Sequence, residues 1–148
     1  MEGNKIIQAI TILFKSVDAR DWKSVQSVMA ENVLLDYTSM VGGEPSVQTP
    51  EQITNTWACF LPGFDSTNHQ VSEFRVKLHG SQADVDYVGK ADHFIDDEVW
   101  TISGTYHSSL EKQNGTWLVT HLKLNYDKQT GNLYLPQKAK DRLKKLQS

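Results

Sequence analysis

The chain has 148 residues, one domain's worth of sequence, and its 39% hydrophobic and 22% charged residues exclude a disordered tail, a collagen-like fibre and a coiled coil. A single cysteine, Cys59, excludes an internal disulfide framework and any cysteine-based zinc site. A net charge of −3 is a poor electrostatic footprint for nucleic acid.

The N-terminal stretch MEGNKIIQAITILF carries Glu2 where a signal peptide wants basic residues, and Gln8, Thr11 and Lys15 interrupt its apolar positions. We therefore expect neither a leader nor a membrane span and read the chain as cytoplasmic. From Lys5 to Ala19 the residues Ile6, Ile10, Leu13, Phe14 and Val17 recur at helical spacing and form one apolar stripe. Asp21 is placed to cap a second helix over Trp22–Met29, buried through Val25, Val28 and Met29. Asn32–Tyr37 reads as a short strand entering a Gly-rich loop, Met40–Pro45. Thr49-Pro50-Glu51-Gln52 is a capping box with proline at the first helical position, opening a third helix that buries Ile53, Trp57 and Phe60 and stops near Pro62-Gly63.

After residue 66 the apolar period changes to two. His69–Leu78, Ala83–Phe94, Val99–Leu110 and Thr116–Tyr126 read as strands joined by short connections, of which Asn114-Gly115 is a hairpin turn pair. The expectation is one α+β domain over residues 1–148, with three N-terminal helices packed on a curved, mostly antiparallel sheet and room for a pocket between them. Gln137–Ser148 holds five basic residues against Asp141 alone, a net of +4 that leaves the body at −7, and reads as a basic helical tail.

Four polar residues make a proton-transfer set by type: a carboxylate, two imidazoles and a phenol. Asp18 follows Phe14 by four positions and so lies along the edge of the helix's apolar stripe, where it must snorkel out, cap something or pair inside. His69 opens the first long strand, Tyr37 ends the short one, and His93 shares the parity of Ala83, Val85, Tyr87 and Ala91. Read by type alone, each has an ordinary structural use as well: a loop cap for Asp18, a strand aromatic for Tyr37, satisfied surface or core histidines for the others. No HxH, HExxH, GxGxxG, Walker or GxSxG pattern occurs, so nothing points to a metal or nucleotide site.

The order Phe-Lys-Ser-Val-Asp18-Ala-Arg-Asp-Trp22, Leu-Leu-Asp-Tyr37, Thr-Asn-His69, Gly104-Thr-Tyr106 and Asn114-Gly-Thr-Trp117 resembles the SnoaL-like branch of the NTF2-like superfamily over roughly residues 5–135. Within it the scytalone dehydratase-like group is similar, with lindane dehydrochlorinase as a sister. The resemblance implies a cone-shaped α+β barrel around a hydrophobic cavity. It implies an Asp18–His69 dyad with the imidazole as general base, Tyr37 activating a water or carbonyl, and His93 as a second pocket histidine. This chain departs from the dehydratase at Val17, where a second tyrosine is expected, and at Gly104 and Tyr106, where a serine and an asparagine are. It departs from the dehydrochlorinase at Leu13, where a lysine is expected. The steroid isomerase branch is rejected, because its oxyanion tyrosine falls at Leu13 and its catalytic aspartate near Tyr37.

The resemblance leads to a cofactor-free, metal-free lyase acting on a small hydrophobic cyclic carbonyl compound. His69 takes a proton beside the carbonyl, Asp18 holds its tautomer, and His93 passes a proton to the leaving hydroxyl. An isomerase or aldol cyclase would begin with the same step, and a non-catalytic ligand-binding or assembly module would use the same fold without turnover. Trp57, Phe60, Phe64, Tyr87, Trp100 and Tyr106 are the candidate substrate-binding residues. A sheet face left bare by the helices, bearing Val88, Thr101, Ser103 and Thr105, suggests a homodimer or homotrimer. No nucleic-acid or membrane partner is expected.

Overall fold

In the computed structural model, which describes residues 2–147, the first apolar stripe becomes helix α1 (Glu2–Asp18). Ile6, Ile10, Leu13, Phe14 and Val17 are all buried, each by a margin worth about 1.5–3 kcal/mol for such a side chain. Asp21 caps α2 (Trp22–Ser27), its carboxylate accepting from the Ser24 N–H at 3.2 Å. Strand β1 (Met29–Asp36) follows, beginning three residues before the expected start at Asn32. The capping box forms as its residues require: Thr49 accepts from the Gln52 N–H, the Gln52 side chain accepts from the Thr49 N–H, and α4 (Pro50–Ala58) runs into a 3₁₀ turn at Leu61–Gly63.

Between β1 and α4 the structure corrects the expected loop. Thr38–Val41 forms a single helical turn, α3, and Ser46–Gln48 forms a short strand, β2. Four helices therefore precede the long strands, where three were expected. The turn is held by Asp36, which accepts from the Thr38 N–H and hydroxyl at 3.1 and 2.6 Å. Ser39 adds a second tether, donating to the Leu124 carbonyl and accepting from the Tyr126 N–H. Those last partners lie 85 and 87 residues away in sequence, so local propensity gives no hint of them.

The period-two segment becomes β3 (Ser66–His79), β4 (Gln82–Ile95), β5 (Glu98–Gln113) and β6 (Thr116–Gly131). The sheet order is β2-β1-β6-β5-β4-β3, antiparallel throughout except for β1 against β6. This mixed, curved sheet stays open, with β2 and β3 as its edges. The β5–β6 hairpin turns on Asn114 and Gly115, both at positive φ (51° and 81°), the conformation that favours this pair.

Along β4 and β5 every second side chain is buried beneath the helices. One core lies between α1, α2 and that inner face; a second gathers Phe64, Ile95, Trp100, Ile102, Leu135 and Ala139. The second core exists because the basic tail docks. It forms α5 (Leu135–Gln147), with Leu135 and Ala139 buried and Arg142 paired to Asp65 at 2.8 Å. Ser148, the end of the expected tail, lies outside the described residues. The helix crosses so near Gly63 that a side chain there would strike the backbone of Ala139.

Candidate active site

The last turn of α1 delivers Asp18 to the start of β3. Thr67 and His69 alternate by two along that strand and so face the same carboxylate. The His69 Nδ1 lies 2.6 Å from Asp18 Oδ1, the Thr67 hydroxyl donates to the same oxygen at 2.9 Å, and the His69 backbone N–H donates to Oδ2 at 2.7 Å. Burial works to raise the Asp18 carboxyl, but the imidazole, the amide and the hydroxyl bonded to it outweigh that and hold it below its usual value. Because Asp18 is then ionised, the proton between the two side chains belongs on Nδ1, and the hydrogen-bond network assigns Nε2 as the atom with a free lone pair.

Arg20 braces this arrangement from behind. Its guanidinium donates to the Thr67 hydroxyl and the Leu61 carbonyl, both at 2.9 Å, and to the Val17 carbonyl at 3.1 Å. Neither Thr67 nor Arg20 stood out in the sequence as a site residue. The signal was available: Thr67 precedes His69 by one strand period, and Arg20 follows Asp18 by two residues.

His69 stacks on Phe14 (5.5 Å between centroids) and opens on a cavity of about 320 Å³ whose wall is mostly apolar. Tyr37, His93, Trp57, Phe60, Trp100 and Tyr106 also line it. Asp18 stands behind His69. Phe64 is one layer back, against Phe60, His93 and Trp100. Tyr87 is likewise behind the wall, stacked on Tyr106 at 5.3 Å and hydrogen-bonded to Ser108 at 2.8 Å. The structure thus brings eight of the ten sequence candidates to the cavity or the dyad and sets Phe64 and Tyr87 behind it as support.

His93 sits 4% exposed on the strand beside His69, its ring 6.1 Å away, with Nδ1 3.1 Å from the Trp100 carbonyl. A carbonyl can only accept, so Nδ1 carries the proton. Burial, and next the nearby His69, push the imidazole down to about 4. At neutral pH it is an uncharged ring whose one proton is already engaged. That is an acceptor through Nε2, a poor fit to the proton-donor role the resemblance implies. Burial raises the Tyr37 and Tyr106 phenols, Tyr106 to about 12, so both stay protonated. Among the described residues no three histidine, cysteine, aspartate or glutamate side chains come together as a metal site, and no helix is long and apolar enough to cross a membrane.

The same fold recurs in solved structures of low sequence identity. The Kfla4162 protein of Kribbella flavida superposes with a TM-score of 0.85 at 17% identity, over 90% of this chain and 95% of that one. A provisionally assigned scytalone dehydratase from Novosphingobium aromaticivorans gives 0.78 at 16%, over 88% and 87%. The hexachlorocyclohexane dehydrochlorinase LinA-type3 from Novosphingobium barchaimii gives 0.73 at 14%, over 89% and 91%. No curated protein matches the sequence significantly. A family profile does: the SnoaL-like domain matches residues 3–123, from the start of α1 to the middle of β6, and the chain belongs to that family within the NTF2-like superfamily.

Proposed function

We propose that this protein is a cofactor-independent lyase, dehydratase-like, acting on a small apolar cyclic compound in which a carbonyl acidifies a neighbouring C–H bond. One observation carries the reading: an imidazole on the wall of an apolar cavity has its Nδ1 held at 2.6 Å by a carboxylate behind it. His69 Nε2 takes the proton, and Asp18 stabilises the imidazolium that forms. The C–H electron pair becomes the new C=C bond as the C–O bond to the β-hydroxyl breaks. Since the proton of His93 is engaged with Trp100, the departing hydroxide takes its proton from the imidazolium of His69 itself and leaves as water. One base serving both ends requires the hydrogen and the hydroxyl to depart from the same face of the ring.

Tyr37 polarises the carbonyl, and His93 accepts a hydrogen bond from a ring hydroxyl. The dehydratase and dehydrochlorinase names among the structural neighbours agree with an elimination. The test is deuterium exchange followed by NMR, using a panel of cyclic ketones and β-hydroxyketones in heavy water. The wild type should exchange the hydrogen beside the carbonyl and release water from the hydroxyketones, and His69→Ala should do neither. A wild type that binds these compounds but exchanges no proton would instead favour a ligand-binding module.

A further inference from the structure

Helix α1 closes on a residue that its backbone does not favour. The Arg20 N–H donates to the Val17 carbonyl at 3.1 Å and the Asp21 N–H to the Ser16 carbonyl at 2.9 Å. That pair of bonds ends a helix through one residue in the left-handed conformation, a place usually taken by glycine. Arg20 holds it here, at φ 59°. An arginine where glycine fits better points to a task for the side chain.

The half-buried guanidinium joins three separate elements. It donates to the Val17 carbonyl at the end of α1, to the Leu61 carbonyl in the 3₁₀ turn and to the Thr67 hydroxyl on β3. Val17 and Leu61 both line the cavity, while Thr67 bonds the Asp18 carboxylate. A guanidinium can only donate, so the Thr67 oxygen accepts from it and the single hydroxyl hydrogen is left for Asp18 Oδ1. The same carboxylate oxygen faces His69 Nδ1 at 2.6 Å. Guanidinium, hydroxyl, carboxylate and imidazole thus form one directed chain, in which each bond polarises the next.

We infer that Arg20 is a positioning residue for the base. By fixing the Thr67 hydroxyl as a donor to Asp18, and tying it to the Val17 and Leu61 carbonyls, it holds His69 in register with the cavity wall. This rests on the reading of His69 as the base proposed above. Arg20 touches no reacting atom and acts on His69 only through Thr67 and Asp18. Its loss should therefore slow the reaction far more than it weakens ligand binding, which the apolar wall supplies.

Arg20→Gly isolates the side chain, because glycine suits the backbone there. Deuterium exchange of cyclohexanone in heavy water, followed by NMR, gives kcat and KM. The variant should lose about tenfold or more in kcat, with KM within about twofold of the wild type. Added guanidinium chloride should restore part of that loss, and tetramethylammonium chloride at equal ionic strength none of it. Since Arg20 works through Thr67, adding Thr67→Val to Arg20→Gly should slow exchange by no more than about a further twofold. A second readout needs no substrate: the low-field proton resonance of His69 Nδ1–H. Its exchange with water should quicken about tenfold in Arg20→Gly and stay unchanged in Lys112→Ala, which breaks an ion pair at the other end of α1. Arg20→Lys keeps the charge but not the fork, so its Nδ1 proton should also be less protected than the wild type's, and it carries the test should Arg20→Gly fail to fold. The inference is overturned by wild-type protection of the Nδ1 proton in the Arg20 variants or by an equal loss in Lys112→Ala. It is overturned too by a rate loss that guanidinium leaves untouched or that multiplies with that of Thr67→Val. A wild type that exchanges no ketone proton overturns the lyase reading alone, and the Nδ1 resonance still decides the role of Arg20.

Discussion

Two carboxylate–imidazole pairs sit on opposite faces of one sheet, and their chemistry differs although their residue types do not. On the inner face His69 meets Asp18 at 2.6 Å with side chains 13% and 19% exposed. On the outer face His107 meets Asp86 at 2.8 Å with side chains 30% and 60% exposed. The outer pair shares its surface with Asp84, His79 and His121, and its imidazole is held between two aspartates with water at hand. The inner carboxylate is saturated by three donors, braced by Arg20 through Thr67, and its imidazole opens on an apolar space that a ligand can fill. Solvent screens the outer pair to well under 1 kcal/mol of coupling. What distinguishes a candidate base from a surface ion pair is the orienting of one ring nitrogen and the keeping of the other dry.

The contrast is sharpest in rate. His69→Ala should lower substrate proton exchange by about 10²–10⁴, and His107→Ala should leave it unchanged; equal losses would erase the distinction. Asp18→Asn should keep the fold but cost about 10² or more, because an amide can hold the wrong tautomer and cannot stabilise an imidazolium. Asp86→Asn should be silent in the same NMR exchange assay.

Stability against pH gives the next largest effect. Buried His93 is held down at about 4, against an unfolded value near 6.5, so between these values the unfolded chain binds the proton and the folded one resists it. Stability should therefore be complete above pH 6.5 and decline by about 2–3 kcal/mol towards pH 4. Asp18, also depressed, adds a loss of the same sign at lower pH, as its carboxylate protonates. Urea unfolding at pH 7 and pH 5 measures this, and His93→Phe should flatten the slope. A slope that survives the substitution would assign the acid sensitivity to His121, which burial also holds down.

Smaller effects follow. Thr67→Val should cost about 1 kcal/mol, removing one donor to Asp18 and one of the three acceptors of Arg20, whereas Ser109→Ala, which removes one hydrogen bond to Asp84 on the outer face, should cost under about 0.5 kcal/mol in the same unfolding assay. We also propose that the outer face, with Val88, Thr101, Ser103 and Thr105, joins copies of the chain as a dimer or trimer. Light scattering at micromolar concentration should then exceed the 16.8 kDa of one chain; that mass alone would leave the outer histidines in water and the contrast at its widest.

Much of this was legible beforehand because it depends on near neighbours in the chain. The stripe of α1, the capping box of α4 and the Asn114-Gly115 turn each follow from residues within one or two turns of one another. Asp18 and His69 were legible as types, and the family resemblance paired them. The helical turn at Thr38–Val41 was not, because its tethers come from β6. Phe64 and Tyr87 were read as cavity residues by their aromatic type. Depth behind a wall depends on how the chain packs, which residue type does not encode.

The sequence by itself determined the helical and strand periods, the turn pair, the parity that groups His93 with Ala83, Val85, Tyr87 and Ala91, and the presence of proton-transfer residue types. These are short-range properties, fixed by backbone geometry and by which side chains water rejects. Only the tertiary structure decided that Asp18 and His69, 51 residues apart, meet in hydrogen-bond contact, that Trp100 engages the proton of His93, and that Tyr37 and Tyr106 share one cavity. The physical reason is distance along the chain: a hydrogen bond acts over about 3 Å, and only packing the helices on the sheet brings such residues within that reach.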